Sequence, residues 1–250
     1  MEDEAIIQVR GLTAAYGDAV ILKDISFEVK RGEVFVILGG SGCGKSTLLK
    51  HLIGLYPLAS GEVLIGGENL ATAESADRQR ILRRFGVTYQ SGALFGSMTL
   101  NENVTLPIEE FTELPATARK VISWMKLRLV GLEGFGGHLP AEISGGMQKR
   151  AAIARAMALD PAVLFLDEPS AGLDPVTSAE LDALILSLRE GLGMTFVIVT
   201  HELPSIYAVA DRVIMLDKRT KGIIAEGHPR DLRDHSEDPF VRKFFRRESE

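Results

Sequence analysis

Apolar positions along this chain fall into two patterns. Residues 34–38, 163–166, 196–200 and 213–216 are short, nearly continuous apolar runs rich in β-branched side chains. Runs of this length, bounded by Gly, Pro or Asp, predict strands buried on both faces and arranged in parallel. Helical stretches at 45–55 and 178–189 lie between them, and that alternation predicts an α/β fold with a covered sheet. The first third reads differently. Residues 6–9, 25–30 and 62–65 alternate apolar and polar side chains around Arg31-Gly32 and Gly66-Gly67, which predicts an antiparallel β layer beside the main sheet. Residues 91–160 lack strand runs and read as mostly helical. Asp160-Pro161 is the expected stop for the Ala-rich helix before the strand at 163.

No repeat, low-complexity tract or long linker divides the chain. The expected layout is one domain over residues 1–250. Segments 1–90 and 161–227 supply an α/β core with its β layer, 91–160 a helical insertion, and 228–250 a tail.

Chemistry enters at Gly39-Gly40-Ser41-Gly42-Cys43-Gly44-Lys45-Ser46, followed by Thr47. The run fits G-x-x-x-x-G-K-[ST] in full, follows a predicted strand and opens a predicted helix. Its backbone N–H groups can turn inward around phosphate oxygens, and the helix N-terminus adds a favourable dipole. Lys45 supplies positive charge to the β- and γ-phosphates, and Ser46 an oxygen to Mg²⁺. Cys43 has two readings: a small residue filling the loop, or a thiol activated by the helix N-terminus.

A second element is the apolar run 163–166 ending in Asp167-Glu168. Two acids at the end of a buried strand are costly without a cation or a polar site. Asp167 is expected to hold Mg²⁺ through water, and Glu168 to polarise an attacking water.

Composition narrows the classes. The chain has 250 residues and a formal net charge of −6, so global charge gives no support for nucleic-acid binding. One cysteine excludes an intrachain disulfide and points to a reducing compartment. The acidic start Met1-Glu2-Asp3-Glu4 is unlike a secretory n-region. No apolar run approaches the roughly 18 residues of a membrane span, so a membrane role is expected to come through a partner. There is no Asn-Lys-x-Asp guanine-specificity motif, which disfavours a GTPase.

Together these residues resemble the ATP-binding cassette (ABC) ATPases over nearly the whole chain. The resemblance implies a P-loop NTPase cassette with a mostly parallel core sheet, an antiparallel β subdomain and a helical subdomain insertion. Tyr16 matches the residue that stacks on adenine, and Gln90 the glutamine that senses the γ-phosphate and Mg²⁺. Ser144-Gly145-Gly146-Met147-Gln148 matches the signature, with Met147 in place of the usual glutamine. Asp174 matches the loop that crosses the dimer interface, and is also a plausible cap for the helix begun by Pro175. His201 matches the switch histidine. The catalytic set implied is Glu168, His201, Lys45 and Gln90. The nucleotide is ATP, with Mg²⁺ at Ser46, Gln90 and Asp167. The resemblance further implies a homodimer in which Ser144, Gly145 and Gly146 meet the nucleotide of the opposite subunit, with each pair driving an integral-membrane permease.

The run Gln90-Ser91-Gly92-Ala93-Leu94-Phe95, the Ser-Gly-Gly-Met signature and the tail 238–244 look like the ATPases of Mla-type, MCE-associated phospholipid transport systems. That resemblance implies phospholipid moved between inner and outer membrane, a periplasmic MCE-domain protein, a STAS-domain subunit, and a cytoplasmic site on the inner membrane. The surface around 90–107 would receive the permease's coupling helix. Two alternatives stay open: an amino-acid or other small-solute importer, and a regulatory ABC protein of cell division. In the tail, Phe240, Val241, Phe244 and Phe245 fall at helical spacing, a stripe that suits docking on this domain, on the other cassette or on a partner.

Overall fold

The computed structural model describes residues 4–17 and 19–247; Met1 and the acidic residues Glu2 and Asp3 lie outside them. Two sheets organise the chain. Strands β1 (Ala5–Tyr16), β2 (Ala19–Lys30), β4 (Ser60–Ile65) and β5 (Glu68–Asn69) form an antiparallel sheet in the order β2-β1-β4-β5. Strands β3 (Val34–Gly39), β6 (Phe85–Thr88), β7 (Val163–Asp167), β8 (Thr195–Val199), β9 (Arg212–Asp217) and β10 (Gly222–Gly227) form the main sheet, ordered β10-β9-β3-β8-β7-β6. All neighbours there are parallel except β10, which runs antiparallel to β9.

The apolar runs explain this. Side chains alternate across a strand, so a strand covered on both faces must be apolar throughout. In β3, Val34, Val36 and Leu38 enter one core while Phe35 and Ile37 enter the other. The first core lies under the helices α3 (Leu100–Phe111), α5 (Gly145–Ala156), α6 (Pro175–Leu192) and α7 (Leu203–Val209), with α4 (Ala116–Leu129) packed on α3 and α5. The second joins the main sheet, the antiparallel sheet and α1 (Lys45–Leu52), whose Leu48, Leu49 and Leu52 are buried there. Helix α2 (Ser75–Leu82) adds Ile81 to it.

α5 is Ala-rich because it must approach β6 closely. A Cβ on Gly86 would lie 2.1 Å from the Ala156 carbonyl oxygen, so even one methyl group is excluded there.

Several boundaries differ from the sequence expectation. α1 stops at Leu52 because the chain turns at Gly54, φ +70°. α5 ends at Ala156, before Asp160-Pro161, and Asp160 itself takes φ +51°. α6 extends the predicted stretch at both ends. β6 has four residues and β10 is only half-buried, so neither carries a legible alternation. The tail forms α8 (Pro229–His235) and α9 (Pro239–Arg246). Val241 and Phe245 of its aromatic stripe are buried against this chain's own core, and Tyr207 Oη donates to the Phe245 carbonyl at 2.8 Å.

The consequence for function is positional. β3, β7 and β8 are parallel neighbours, so their C-terminal ends share one edge of the sheet. In open α/β sheets ligands bind outside those ends.

Candidate nucleotide site

The loop between β3 and α1 wraps the C-terminal edge. Gly39 has φ +149°, and a Cβ there would lie 2.4 Å from Leu216 O and 2.6 Å from Cys43 Sγ. The contact also locates Cys43: its side chain turns beneath the loop, 3% exposed, and burial pushes its thiol pKa up. A buried, protonated thiol is a packing group, so the filling reading holds over the activated one. Lys45 Nζ donates to Gly39 O at 2.8 Å and Gly40 O at 3.3 Å, spanning the mouth of the loop.

The loop forms one wall of a cleft of about 720 Å³. Tyr16 at the end of β1, Gln90 just beyond β6, Glu168 after β7 and His201 after β8 supply the others. Thus the phosphate loop, Glu168 and His201 converge because their parallel strands end together, and Tyr16 comes in from the antiparallel sheet packed beside them.

Asp167 is the last residue of β7 and Glu168 the first beyond it. Glu168 adopts φ +47°, a strained value for a residue with a Cβ, and its N–H donates to Val199 O at 2.8 Å. The backbone turn brings Glu168 Oε1 to 2.8 Å from His201 Nδ1. A carboxylate only accepts, so Nδ1 carries the proton. Asp167 Oδ1 and Glu168 Oε2 are buried without a hydrogen-bond partner among the described residues. Burial, then the charge of Glu168, pushes the Asp167 carboxyl pKa up, against the lowering effects of Lys50, Ser46 and Lys45.

That shift has a sign. A carboxyl whose folded pKa is raised costs stability as pH climbs from its unfolded value through the folded one, and the cost is full above both. Asp167→Asn is therefore expected to raise the melting temperature of the nucleotide-free protein near neutral pH, by about 2–4 °C per kcal/mol recovered. The gain should shrink towards about pH 4, where the wild-type carboxyl is protonated. Parallel melting curves across pH check this; an equal gain at both ends would assign it to packing.

The remaining predicted residues sit apart from this cleft. Ser144 caps α5, its Oγ accepting from Met147 N at 3.3 Å. Asp174 caps α6, accepting from Val176 N at 3.0 Å and Thr177 N at 3.1 Å; the Thr177 donors hold its carboxyl below the usual range. The two caps belong to one patch. A Cβ on Gly146 would lie 2.3 Å from Thr177 Cγ2, and one on Gly145 3.7 Å from Leu173. None of Ser144, Gly145, Gly146 or Asp174 lines the cleft. The structure therefore sorts the predicted site into a phosphate-loop cleft and a second surface where two helix N-termini meet.

Sequence reasoning missed three residues at or near the cleft, one of them Ile21 of β2 in its lining. Lys149 Nζ donates to the Gln90 carbonyl, tying α5 to the Gln90 loop, and burial lowers its pKa while Asp167 and Glu168 oppose the drop. Phe244 of α9 lines the cleft. Lys149 lies just beyond the signature and Phe244 in the tail's stripe, but neither local pattern says that the residue reaches the cleft. Met147 packs against the helical core, so the atypical residue of the signature serves packing.

A separate apolar groove of about 520 Å³ opens between β6 and α3. Phe95, half exposed, lines it with Leu106, Pro107 and Phe111, and Arg155 braces its rim by donating to Ala93 O at 2.7 Å and Gly92 O at 3.1 Å. Leu94 instead packs inward. No helix among the described residues is long and apolar enough to cross a membrane.

Fold and cleft define a protein that holds a nucleoside triphosphate at the C-terminal edge of a parallel sheet. Comparison with known proteins narrows this. Residues 22–171 match the model of the ABC transporter family. The chain is 42% identical over 238 residues to a probable ribonucleotide transport ATP-binding protein of Mycobacterium leprae, covering 95% of this chain and 68% of that protein. It is 38% identical over 249 residues to the intermembrane phospholipid transport ATP-binding protein MlaF of Haemophilus influenzae, covering 99% of this chain and 93% of that protein. A dimeric ATP-binding cassette, MJ0796, solved in a post-hydrolysis state with ADP and Pi, superposes with a TM-score of 0.79 at 30% identity, covering 89% of this chain and 98% of that one. The chain belongs to the ABC transporter family, as its ATP-binding, ATP-hydrolysing cassette. Cassettes of this family work in pairs with a membrane permease, and the likeness to a dimeric cassette agrees with that pattern.

Proposed function

We propose that two copies of this chain close around ATP, and that each site is built from both. The supporting observation is the separation of the cleft from the Ser144–Asp174 patch. One subunit holds the phosphates through its loop, Lys45, Ser46 and Thr47, with Tyr16 on the adenine. The other presents Ser144, Gly145 and Gly146, with Asp174 beside them. Neither subunit completes a site alone, so ATP stabilises the closed pair by mass action.

Mg²⁺ fits the residues present. Asp167 Oδ1 is a buried acceptor without a partner, beside Ser46. No cluster of three or more His, Cys, Asp or Glu capable of holding a metal exists among the described residues. Ser46, Gln90 and, through water, Asp167 would hold the ion. When bound, the ion neutralises charge on the β- and γ-phosphate oxygens.

The chain's own groups do the rest. Glu168 accepts a proton from the attacking water as the new O–P bond forms and the β–γ bridge breaks, leaving ADP and phosphate. His201 fixes Glu168 through the Nδ1–Oε1 bond and faces the developing charge. Lys45 leaves its loop carbonyls for the phosphates.

The groove beside Gln90 suits the permease's coupling helix, since nucleotide state at Gln90 then adjoins the docking wall. The chain would sit on the cytoplasmic face of the inner membrane through that contact. For cargo, the nearly full-length likeness to the phospholipid transport protein supports intermembrane phospholipid, with an MCE-domain protein and a STAS-domain subunit as further partners. The test is to purify the intact membrane complex and extract what it holds. Phospholipid retained by the complex, with ATPase stimulation by phospholipid vesicles, is the expected result. Stimulation by ribonucleotides would favour the other relative's named cargo and overturn the lipid reading.

A further inference from the structure

The adenine end of the cleft has a support that no motif describes. Tyr16 stands at the tip of β1, 44% exposed, just before the turn at Gly17. A half-exposed tyrosine on a turn has several rotamers, and each one sampled away from the base weakens stacking. Its ring meets the ring of Tyr56 edge-on, centroids 5.6 Å apart and planes at 85°. Tyr16 lines the nucleotide cleft; Tyr56 instead lines a neighbouring cavity of about 390 Å³. Tyr56 therefore approaches Tyr16 from the side away from the nucleotide.

Tyr56 is itself held firmly. Its N–H and that of Leu55 return to Lys50 O, at 3.3 and 2.9 Å, wrapping the loop onto the last turn of α1. His51, 2% exposed, places Nδ1 3.2 Å from Tyr56 O. A carbonyl only accepts, so Nδ1 donates; Nε2 is buried without a partner among the described residues, and burial lowers the pKa of the ring. The His51 ring lies 6.0 Å from Tyr56 and 6.5 Å from Tyr16, closing an aromatic cluster. Lys50 Nζ sits 5.7 Å from the centre of the Tyr56 ring, and Arg78 pins the same loop by donating to Gly54 O at 2.5 Å and Leu70 O at 3.3 Å.

The arrangement ties both ends of the nucleotide to one helix. The phosphates meet the N-terminus of α1 at Lys45. His51 stands six residues on, about 9 Å along the axis at 1.5 Å per residue. We propose that Tyr56, carried by His51, is a positioning residue that holds Tyr16 in its base-stacking rotamer, and so sets nucleotide affinity from the far end of the phosphate-loop helix. This rests on the reading of Tyr16 as the adenine platform.

The test compares Tyr56→Ala, Tyr56→Phe and Tyr16→Ala in the full chain assembled with its permease. Tyr56→Ala is expected to raise the KM for ATP about three- to tenfold, the range of one aromatic contact, with kcat within about twofold of wild type. Inhibition by inorganic tripolyphosphate, which has no base, should be unchanged. Tyr56→Phe should restore the wild-type KM, because the ring and not its hydroxyl makes the contact. The double variant Tyr16→Ala/Tyr56→Ala should match Tyr16→Ala alone. An unchanged KM in Tyr56→Ala, with a raised KM in Tyr16→Ala, overturns the positioning role and leaves the platform intact. Equal losses for ATP and tripolyphosphate reduce Tyr56 to a fold element. An unchanged KM in Tyr16→Ala removes the platform itself, and this inference with it.

Discussion

Glu168→Gln is expected to bind ATP, accumulate as a closed dimer and hydrolyse about 10²–10⁴ times more slowly than wild type. The substitution keeps the size of the side chain and its backbone turn, so the strained φ at this position is undisturbed. It removes the carboxylate proposed to take a proton from water. In the proposed site Asp167 serves the metal, so it is not expected to take over this role. The amide can still meet His201 Nδ1 through its carbonyl oxygen, so the cleft should stay assembled. Single-turnover hydrolysis, nucleotide binding and size-exclusion chromatography with ATP read the three parts separately. Full turnover in this variant would sink the assignment of Glu168 as the base.

Ser144→Asp, added to Glu168→Gln, should abolish that ATP-held dimer while each subunit still binds ATP. Asp is as good a helix cap as Ser, so α5 keeps the hydrogen bond that Ser144 now makes. What changes is charge. If Ser144 meets the γ-phosphate of the opposite subunit, a carboxylate there sets like charges in contact, a cost of several kcal/mol and thus at least about 10²-fold in dimer affinity. Within one subunit nothing should change, because Ser144 does not line its own cleft. Loss of ATP binding by the isolated subunit would mean that the signature serves its own nucleotide, against the composite site. An intact dimer would remove Ser144 from the interface.

These two outcomes rest on features that differ in how they could be read from the chain. The phosphate loop is eight consecutive residues between a strand and a helix, and its chemistry is complete within that span. The acid pair likewise follows one apolar run. Asp174 declares itself as a cap through Pro175. Such features depend on backbone dihedrals and contacts a few residues apart, which local sequence controls. The parallel core strands were also legible, because burial on both faces leaves an unbroken apolar run.

β6 was not legible, for the opposite reason. Four residues with Gly86 among them carry no period, and Gly86 is there to admit Ala156 rather than to favour a strand. β10 lies half-buried at the sheet edge, where one exposed side relaxes the pattern. The tail's aromatic stripe was visible, but not its destination; that depended on whether Tyr207 and the core beside it offered a complementary face.

The candidate site residues were therefore legible in the chain. Their contacts across the fold were not. Only the folded chain puts Glu168 against His201, Lys149 against the Gln90 loop and Tyr56 behind Tyr16. Each of these joins segments far apart in sequence, or on separate elements, whose approach is governed by packing of two cores against one sheet. Packing acts on shape summed over the whole chain, so no short window of sequence carries it.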